Sequence, residues 1–440
     1  MPQLVPLRGV HFDPARVGGD LGPLICPPYD VIDEEGARRL EAQHPYNCVR
    51  LELYVPPGDP PPERYREAAA RWLAWRREGI LVQDGSPSLY VYRHAFTQAG
   101  RRLVRTALVG GLAGGVLVHE ETMAAPKQDR VQLLRACRAQ FSPIFVLYED
   151  AEGWVASMWA KEVEGLPPAL EARVGEEELW VWRLEDRDLV GGILGALDPL
   201  PAVIADGHHR YESVRRFVQE AGREGPVRVL AALVSSADPG LVVLPTHRLV
   251  RGPAGCARRL TEAVASAFGG AATAAPVSVP AAAGQGAGGW WAELEPLTGS
   301  EGAVTSLVAA SREGAWVLPC RGDIAEALGL LDRALGGTPA EGGAPGAGVR
   351  VEYTRDAVRA LAEVLDGRAE IVFLVPAVPV EEIFRKAREG YRFPRKTTYF
   401  YPKVPAGLIM CDLAEWGRGT ARLPAGIGVP EPPELRPAPA

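Results

Sequence analysis

Hydrophobic positions follow two different periods along this chain. In "PERYREAAARWLAWRREG", Tyr65, Ala69, Trp72 and Trp75 recur every three or four residues and give way to Gly79. That spacing aligns them on one helical face, and a glycine just past the last turn suits a left-handed cap, so a helix is predicted there. "SLYVYRHAF" and "RRLVRTALVGGL" flank the turn-like "TQAG" and predict a β-hairpin. "GVLVHEETM" reads as a strand running into a loop, "APKQDRVQLLRACRAQ" as a helix beginning near Lys127, and "SPIFVLYED" as a buried strand. The alternation continues with "ELWVWRL" (strand), "DRDLVGGILGAL" (helix), "PAVIAD" (strand), "HHRYESVRRFVQEAG" (helix) and the strands "VRVLAALVSS" and "LVVLPTH". After residue 349, "RVEYT", "RDAVRALAEVLDG", "AEIVFLVP", "VEEIFRKAREG", "TTYFY" and "AGLIMCDL" repeat the same alternation. Strands alternating with helices predict an α/β (α+β) fold, and the hairpin requires its sheet to be mixed.

The composition breaks this pattern in two places. From Gly269 to Gly289 the chain is mostly alanine and glycine, with too few large apolar side chains to pack, and Gly336–Gly348 is similar. With 440 residues, more than one core is expected. The predicted parts are an α/β domain over 1–268, a variable insertion with a small α/β segment over 269–348, a C-terminal α/β segment over 349–423 packing back on the body, and a loose proline-rich tail over 424–440. A hydrophobic share of 47% with 23% charged residues is that of a globular protein and excludes wholesale disorder. The formal net charge of −7 disfavours nucleic acid and anionic membrane as partners. The six cysteines form no C-x-x-C pair, so buried free thiols are expected. The amino terminus lacks a signal-peptide pattern and no stretch approaches the ~20 apolar residues of a membrane span, which predicts a cytoplasmic protein.

Three stretches concentrate chemistry. In "ADGHHRY" a strand ends at Ala205, Asp206 is placed to cap the next helix, Gly207 permits a tight turn, and that helix starts near His208 with Tyr211, Val214 and Phe217 inward. The unpaired amides of its first turn suit a phosphate oxygen, Arg210 would add a bidentate contact, and His208 or His209 a donor or proton carrier. Zinc is disfavoured, because adjacent residues at a helix start point to different faces. "HEETMAAPKQDR" gathers His119, Glu120, Lys127, Asp129 and Arg130. Asp206, Glu120 or Asp129 could serve as catalytic base or Mg2+ ligand, and Lys127 and Arg130 could neutralise phosphate. In "RKTTYFYPK", Thr397, Tyr399 and Tyr401 share one strand face, with Lys396 and Lys403 near its ends. "PPYDVI" (Tyr29, Asp30), "HPYNCVRLEL" (Asn47, Arg50) and "LPTHRLV" (His247, Arg248) are candidate substrate contacts. Each cluster also has a bland reading as charged turn, edge protection or satisfied core histidine. No P-loop, nucleophile elbow, H-E-x-x-H or well-placed G-x-G-x-x-G is present, and nothing signals zinc, haem, flavin or NAD.

Together these motifs, with "SPIF" and "KTTYFYPKVPAGL", strongly resemble a prokaryotic family known only as domain of unknown function DUF1015, over about Pro6 to Leu413. The family usually has methionine and proline before the position of Lys396, where this chain has Phe393 and Pro394, and the alanine-glycine stretch after Phe268 looks peculiar to it. More distantly, Asp206 to Arg210 resemble the phosphate-binding turn of the ParB and sulfiredoxin superfamily, some of whose members bind or hydrolyse nucleoside triphosphates and some of which phosphorylate free serine. That resemblance implies a nucleotide or phosphorylated metabolite with its phosphates at the start of the helix containing Tyr211. The clusters themselves supply Gly207, Arg210, His119, Lys127, Arg130, Lys396, Tyr399 and Lys403 around phosphate, with ATP or ADP and Mg2+ expected, and a homodimer is compatible with the sequence. The expected activity is phosphotransfer to a small hydroxyl metabolite, with free serine favoured. The alternatives are hydrolysis of a metabolite such as phosphoserine and a non-catalytic nucleotide-sensing or DNA-associated regulator.

Overall fold

The computed structural model describes residues 2–53, 61–120, 124–220, 228–270, 273–274, 286–336, 348–394 and 396–413, without the side chains of 124–127 and 274. The chain forms two compact units. The first comprises Met1–Val118, Thr122–Leu241 and Pro402–Ala440, and the second His119–Glu121 and Val242–Tyr401. The boundary read from sequence at residue 268 falls inside the second unit.

The first unit is built on a mixed sheet flanked by helices. Its strands lie in the order Ala202–Asp206, Ile144–Tyr148, Val229–Ser235, Arg101–Leu112, Leu89–Gln98, Glu177–Leu184 and Leu170–Val174, with Leu4–Val5 also pairing to Arg101–Leu112. Ile144–Tyr148 runs parallel to Val229–Ser235 and antiparallel to Ala202–Asp206. The "TQAG" hairpin turns on Ala99 and Gly100, both at positive φ (47° and 72°), which matches the right-handed twist of the two strands. Leu89, Val91, Leu108, Ile144, Val146, Ile204 and Leu233 form the core beneath Ile193, Tyr211 and Val214.

Four helices position the site: α1 (Val49–Glu52), α2 (Pro62–Arg77), α3 (Ala124–Cys137) and α4 (His208–Glu220). Helix α2 ends as expected, with Gly79 at φ 72° and its amide on the Arg76 carbonyl. Its inner face differs from the sequence reading. Arg64, Ala68, Trp72 and Trp75 are buried, while Tyr65 and Ala69 lie at the margin, because the early turns rotate an arginine toward the protein. Helix α3 begins at Ala124, ahead of Lys127. The strand expected in "GVLVHEETM" does not form a ladder among the described residues; Leu117 and Glu120 make isolated bridges, and 121–123 lie outside the described residues.

The second unit has an antiparallel sheet ordered Thr273–Ala274, Gly314–Arg321, Val304–Ser311, Ile371–Leu374, His247–Arg251, Arg350–Thr354, with Gly299–Glu301 on Val304–Ser311. Tyr399–Tyr401 pairs separately with Val242–Leu244. Part of the alanine-glycine stretch is structured after all. Gly286–Leu294 is a helix whose Trp290 and Leu294 are fully buried in a core with Leu249, Val308, Leu361 and Val372, with Trp291 packed alongside, so large side chains just past the stretch order its last four residues. Residues 275–285, 337–347 and the tail at 424–440 lie outside the described residues. The six cysteines are free and buried, and no helix among the described residues is long and apolar enough to cross a membrane.

Candidate functional site

The end of strand Ala202–Asp206 is irregular. Ile204 pairs with Val146 and Asp206 with Phe145, so Ala205 is bulged out of the ladder and Asp206 is carried to the face opposite Ile204. Gly207 comes next at φ 90°, where a Cβ would sit 2.9 Å from Ile144 Cγ2 and 3.0 Å from Arg210 Nη2. Backbone conformation and space both therefore demand glycine. Helix α4 then begins, with the Tyr211 amide donating to the Gly207 carbonyl at 2.9 Å.

Asp206 does not cap this helix. Its Oδ2 accepts from Arg210 Nη2 at 2.7 Å and its Oδ1 from Lys403 Nζ, while Arg210 Nη1 donates to the Pro143 carbonyl. Burial pushes the Asp206 carboxyl up, but Lys403 and Arg210 outweigh it and hold the group below the usual range. Asp30, on the single turn Tyr29–Val31 after the diproline, goes the other way. Much of Asp30 is at the surface; where its carboxyl meets the protein, burial and then the like charge of Asp206 raise it, against Arg210 and Lys403.

A second cluster adjoins the first. Arg130 donates from Nη1 to Glu52 Oε2 at 2.7 Å, from Nη2 to the Glu52 carbonyl at 2.8 Å, and from Nε to Asp129 Oδ2 at 2.8 Å. Its guanidinium lies 4.1 Å from the ring centre of Tyr29, whose hydroxyl is pushed up to about 12, chiefly by burial. Tyr65 donates its hydroxyl to Asp129 Oδ1 at 2.9 Å. Burial would raise Asp129, yet Arg130, Arg64 and Tyr65 hold it low, and both its oxygens are engaged. Asp129 is therefore a structural counter-ion, which corrects its reading as base or metal ligand. Arg130 and Arg210, from different motifs, line one cavity of about 40 Å³ together with Glu52, Gln140, Ser142 and Ser213.

Other candidates in this unit serve the scaffold. Asn47 is fully buried; its Nδ2 donates to the carbonyls of Pro23 (2.8 Å) and Ile25 (3.3 Å), and its Oδ1 accepts from the Val49 amide. Arg50 is held on the Glu41 carbonyl and carboxylate. Both are corrected from substrate contacts to loop ties. His208 is buried and His209 half-buried on the first turn of α4. Lys127 is on α3, but its side chain lies outside the described residues.

In the second unit, His119 is fully buried with Nε2 3.3 Å from Thr398 Oγ1 and its ring edge-on to Phe393, a core position rather than a phosphate contact. Glu120 Oε1 accepts from the Lys396 amide at 2.9 Å. Lys396 has φ 55° and sets its ammonium 5.3 Å from the Tyr353 ring centre, and Arg355 stacks on Tyr399 at 3.8 Å. His247 Nδ1 accepts from the Val375 amide at 3.1 Å, and burial lowers the ring to about 4. Arg248 is fully buried, forked onto Asp332 at 3.0 Å twice. His247 and Arg248 are thus core groups, correcting their assignment to substrate.

A model of the family described as "Protein of unknown function (DUF1015)" matches residues 4–324. The chain belongs to this family. No curated protein matches this DUF1015 chain. Among solved structures, a free serine kinase in complex with AMP is 13% identical at a TM-score of 0.38, over 67% of this chain and 86% of its own. A conserved hypothetical protein from Pyrococcus furiosus is 14% identical at 0.36, over 68% and 93%. A C-terminally truncated SbnI from Staphylococcus aureus is 9% identical at 0.34, over 67% and 84%.

Among its described residues, this DUF1015 chain has no group of three or more His, Cys, Asp or Glu side chains arranged to hold a metal ion. Glu52 and Arg64 are not singled out by the motifs, although Glu52 closes "VRLE" and Arg64 is the one charged position in the row Arg64, Ala68, Trp72.

Proposed function

We propose that this protein is a nucleotide-dependent phosphotransferase acting on the hydroxyl of a small metabolite, with free serine as the favoured acceptor. One observation supports this above the others. Two carboxyls, Asp30 and Asp206, are driven in opposite directions beside Arg210 and Lys403, and Arg210 shares a cavity with Arg130. Pairs of acids pushed apart by their surroundings are how one site separates a proton acceptor from a permanent anion. Phosphoryl transfer asks for cations that spread charge and one base beside the acceptor. The likeness of "ADGHHRY" to a phosphate-binding turn is consistent with this.

In this reading an incoming phosphate competes with Asp206 for Arg210 and Lys403, and Arg130 adds positive charge across the cavity. The acceptor hydroxyl gives its proton to Asp30 as its oxygen forms a bond to the γ-phosphorus. The bond to the β-bridging oxygen breaks, and the diphosphate carries the leaving charge away. Mg2+ would accompany a bound nucleoside triphosphate, held largely by its phosphates and water, and no step is assigned to it.

The test is product analysis. Incubation with ATP and serine should yield phosphoserine and ADP in equal amounts. Release of inorganic phosphate from phosphoserine without nucleotide would instead make the protein a phosphohydrolase. Arg210→Ala should fold but lose the thermal stabilisation that ATP or ADP confers on the parent chain. If nucleotide stabilises both equally, Arg210 has no part in holding phosphate.

A further inference from the structure

Arg64 has no place in that mechanism, yet it is the most anomalous charge in the first unit. It sits in the first turn of α2, where its amide donates to the Pro61 carbonyl at 3.0 Å. Only 5% of the residue is exposed, and none of Nε, Nη1 and Nη2 has a hydrogen-bond partner among the described residues. A buried guanidinium presents five donors, and leaving them unmet is among the costlier arrangements a folded protein can keep.

The surroundings explain why no internal acceptor serves it. Its charged neighbours are Arg130, Asp129 and Glu52. The Asp129 oxygens are taken by Tyr65 and Arg130, and Glu52 is held by Arg130 through both side chain and carbonyl. The nearby Cys137 thiol, pushed up to about 12 by burial, offers no thiolate. Tyr65 gives only its ring, 5.4 Å from the Arg64 guanidinium carbon. Glu52 and Arg130 form a wall of the cavity already described.

We propose that Arg64 anchors an anion subsite separate from the Asp206–Arg210 corner, and that it takes the carboxylate of a small molecule in a bidentate contact. Planar guanidinium and carboxylate match in geometry as two parallel N–H···O bonds. Charge selects the same class. Arg64 and Arg130 are balanced by Glu52 and Asp129, so a single added negative charge is tolerated where a phosphate dianion would leave the cluster strongly negative. This inference goes beyond phosphotransfer and needs no nucleotide.

The test combines two measurements on the full chain. Arginine Nε–Hε signals are followed by NMR at constant ionic strength during titration with sodium acetate, sodium glycolate or sodium phosphate, the Arg64 signal being the one missing in Arg64→Gln. Acetate or glycolate should shift it saturably, and phosphate should do so more weakly. Thermal unfolding supplies the second readout. Without ligand, Arg64→Met and Arg64→Gln should unfold about 2 °C or more above the parent, since an unmet buried charge has been removed. Both should lose the stabilisation by acetate that the parent shows, while Arg210→Ala keeps it. Tighter binding of phosphate than of acetate at Arg64 would overturn the carboxylate assignment. Absence of any shift, or lower stability of both variants, would make Arg64 a structural residue and overturn the site. A chain that transfers no phosphate but still binds acetate through Arg64 would refute the proposed activity alone.

Discussion

Asp30 and Asp206 show how two side chains of one type acquire opposite tendencies from their neighbours. Asp206 has a guanidinium and an ammonium on its oxygens, so its ionised form is favoured. Asp30 is raised first by burial of its carboxyl and then by the anion of Asp206, and holds its proton to higher pH. Because the folded state binds that proton more tightly than the unfolded chain, the contribution of Asp30 to stability is present below the ordinary carboxylate range and is lost as pH rises through its raised pKa. Activity should take the opposite course, falling as acid protonates the base. Asp30→Asn should lower kcat by roughly 10²–10⁴. It should also erase the acid limb of the pH–rate profile, whereas an unchanged limb would assign the base elsewhere. Sequence alone named both residues but could not separate them, because the separation arises from burial of Asp30 beside Asp206 and from the cations held on Asp206, which only the folded chain brings together. It also could not see that His247 and Arg248 face inward, since a His-Arg pair reads alike in a site and in a core strand.

Elements were legible where their pattern was local. The hairpin at Ala99 and Gly100 and the glycine stop of α2 need only a few residues, and the sequence predicts both. Errors arose where tertiary surroundings overrode periodicity. Arg64 displaced Tyr65 from the inner face of α2, and Trp290 and Leu294, just past a stretch whose composition argued for a loop, ordered its last four residues into a helix. The corner at Gly207 is intermediate between these cases. Its glycine was expected for the turn, but the bulge at Ala205 that carries Asp206 to the opposite face has no sequence signature. Gly207→Ala would force a side chain into left-handed backbone and against Ile144 and Arg210. It should cost about 1–3 kcal/mol, and urea unfolding should show it as a lower midpoint with an unchanged slope. Loss of nucleotide stabilisation beyond that expected from the destabilisation would mean Arg210 had been displaced as well.

At the level of the whole molecule, the sequence predicts a C-terminal segment, 349–423, that packs back on the body, while the first unit resumes at Pro402. The first unit is completed by residues that come after the second. This returning segment supplies Lys403, the buried Ala406, Leu408 and Met410, a strand from Cys411 to Asp412 on Ala139–Gln140, and an ion pair from Asp412 to Arg76. A chain ended after Tyr401 should therefore lose cooperative unfolding of the first unit, not only phosphate binding. Circular dichroism melts would register a broadened transition, and a melt as sharp as the parent's would show the segment to be accessory.

The same interruption imposes an order in time. On the ribosome, the strands and helices around Asp206 emerge first, and then roughly ten to forty seconds of further elongation pass, at about 5–20 residues per second, before Lys403 is synthesised. During that interval Val10 and the other residues that Met410 will cover stay without it. Slow or stalled translation should thus be the condition under which this protein most needs a chaperone.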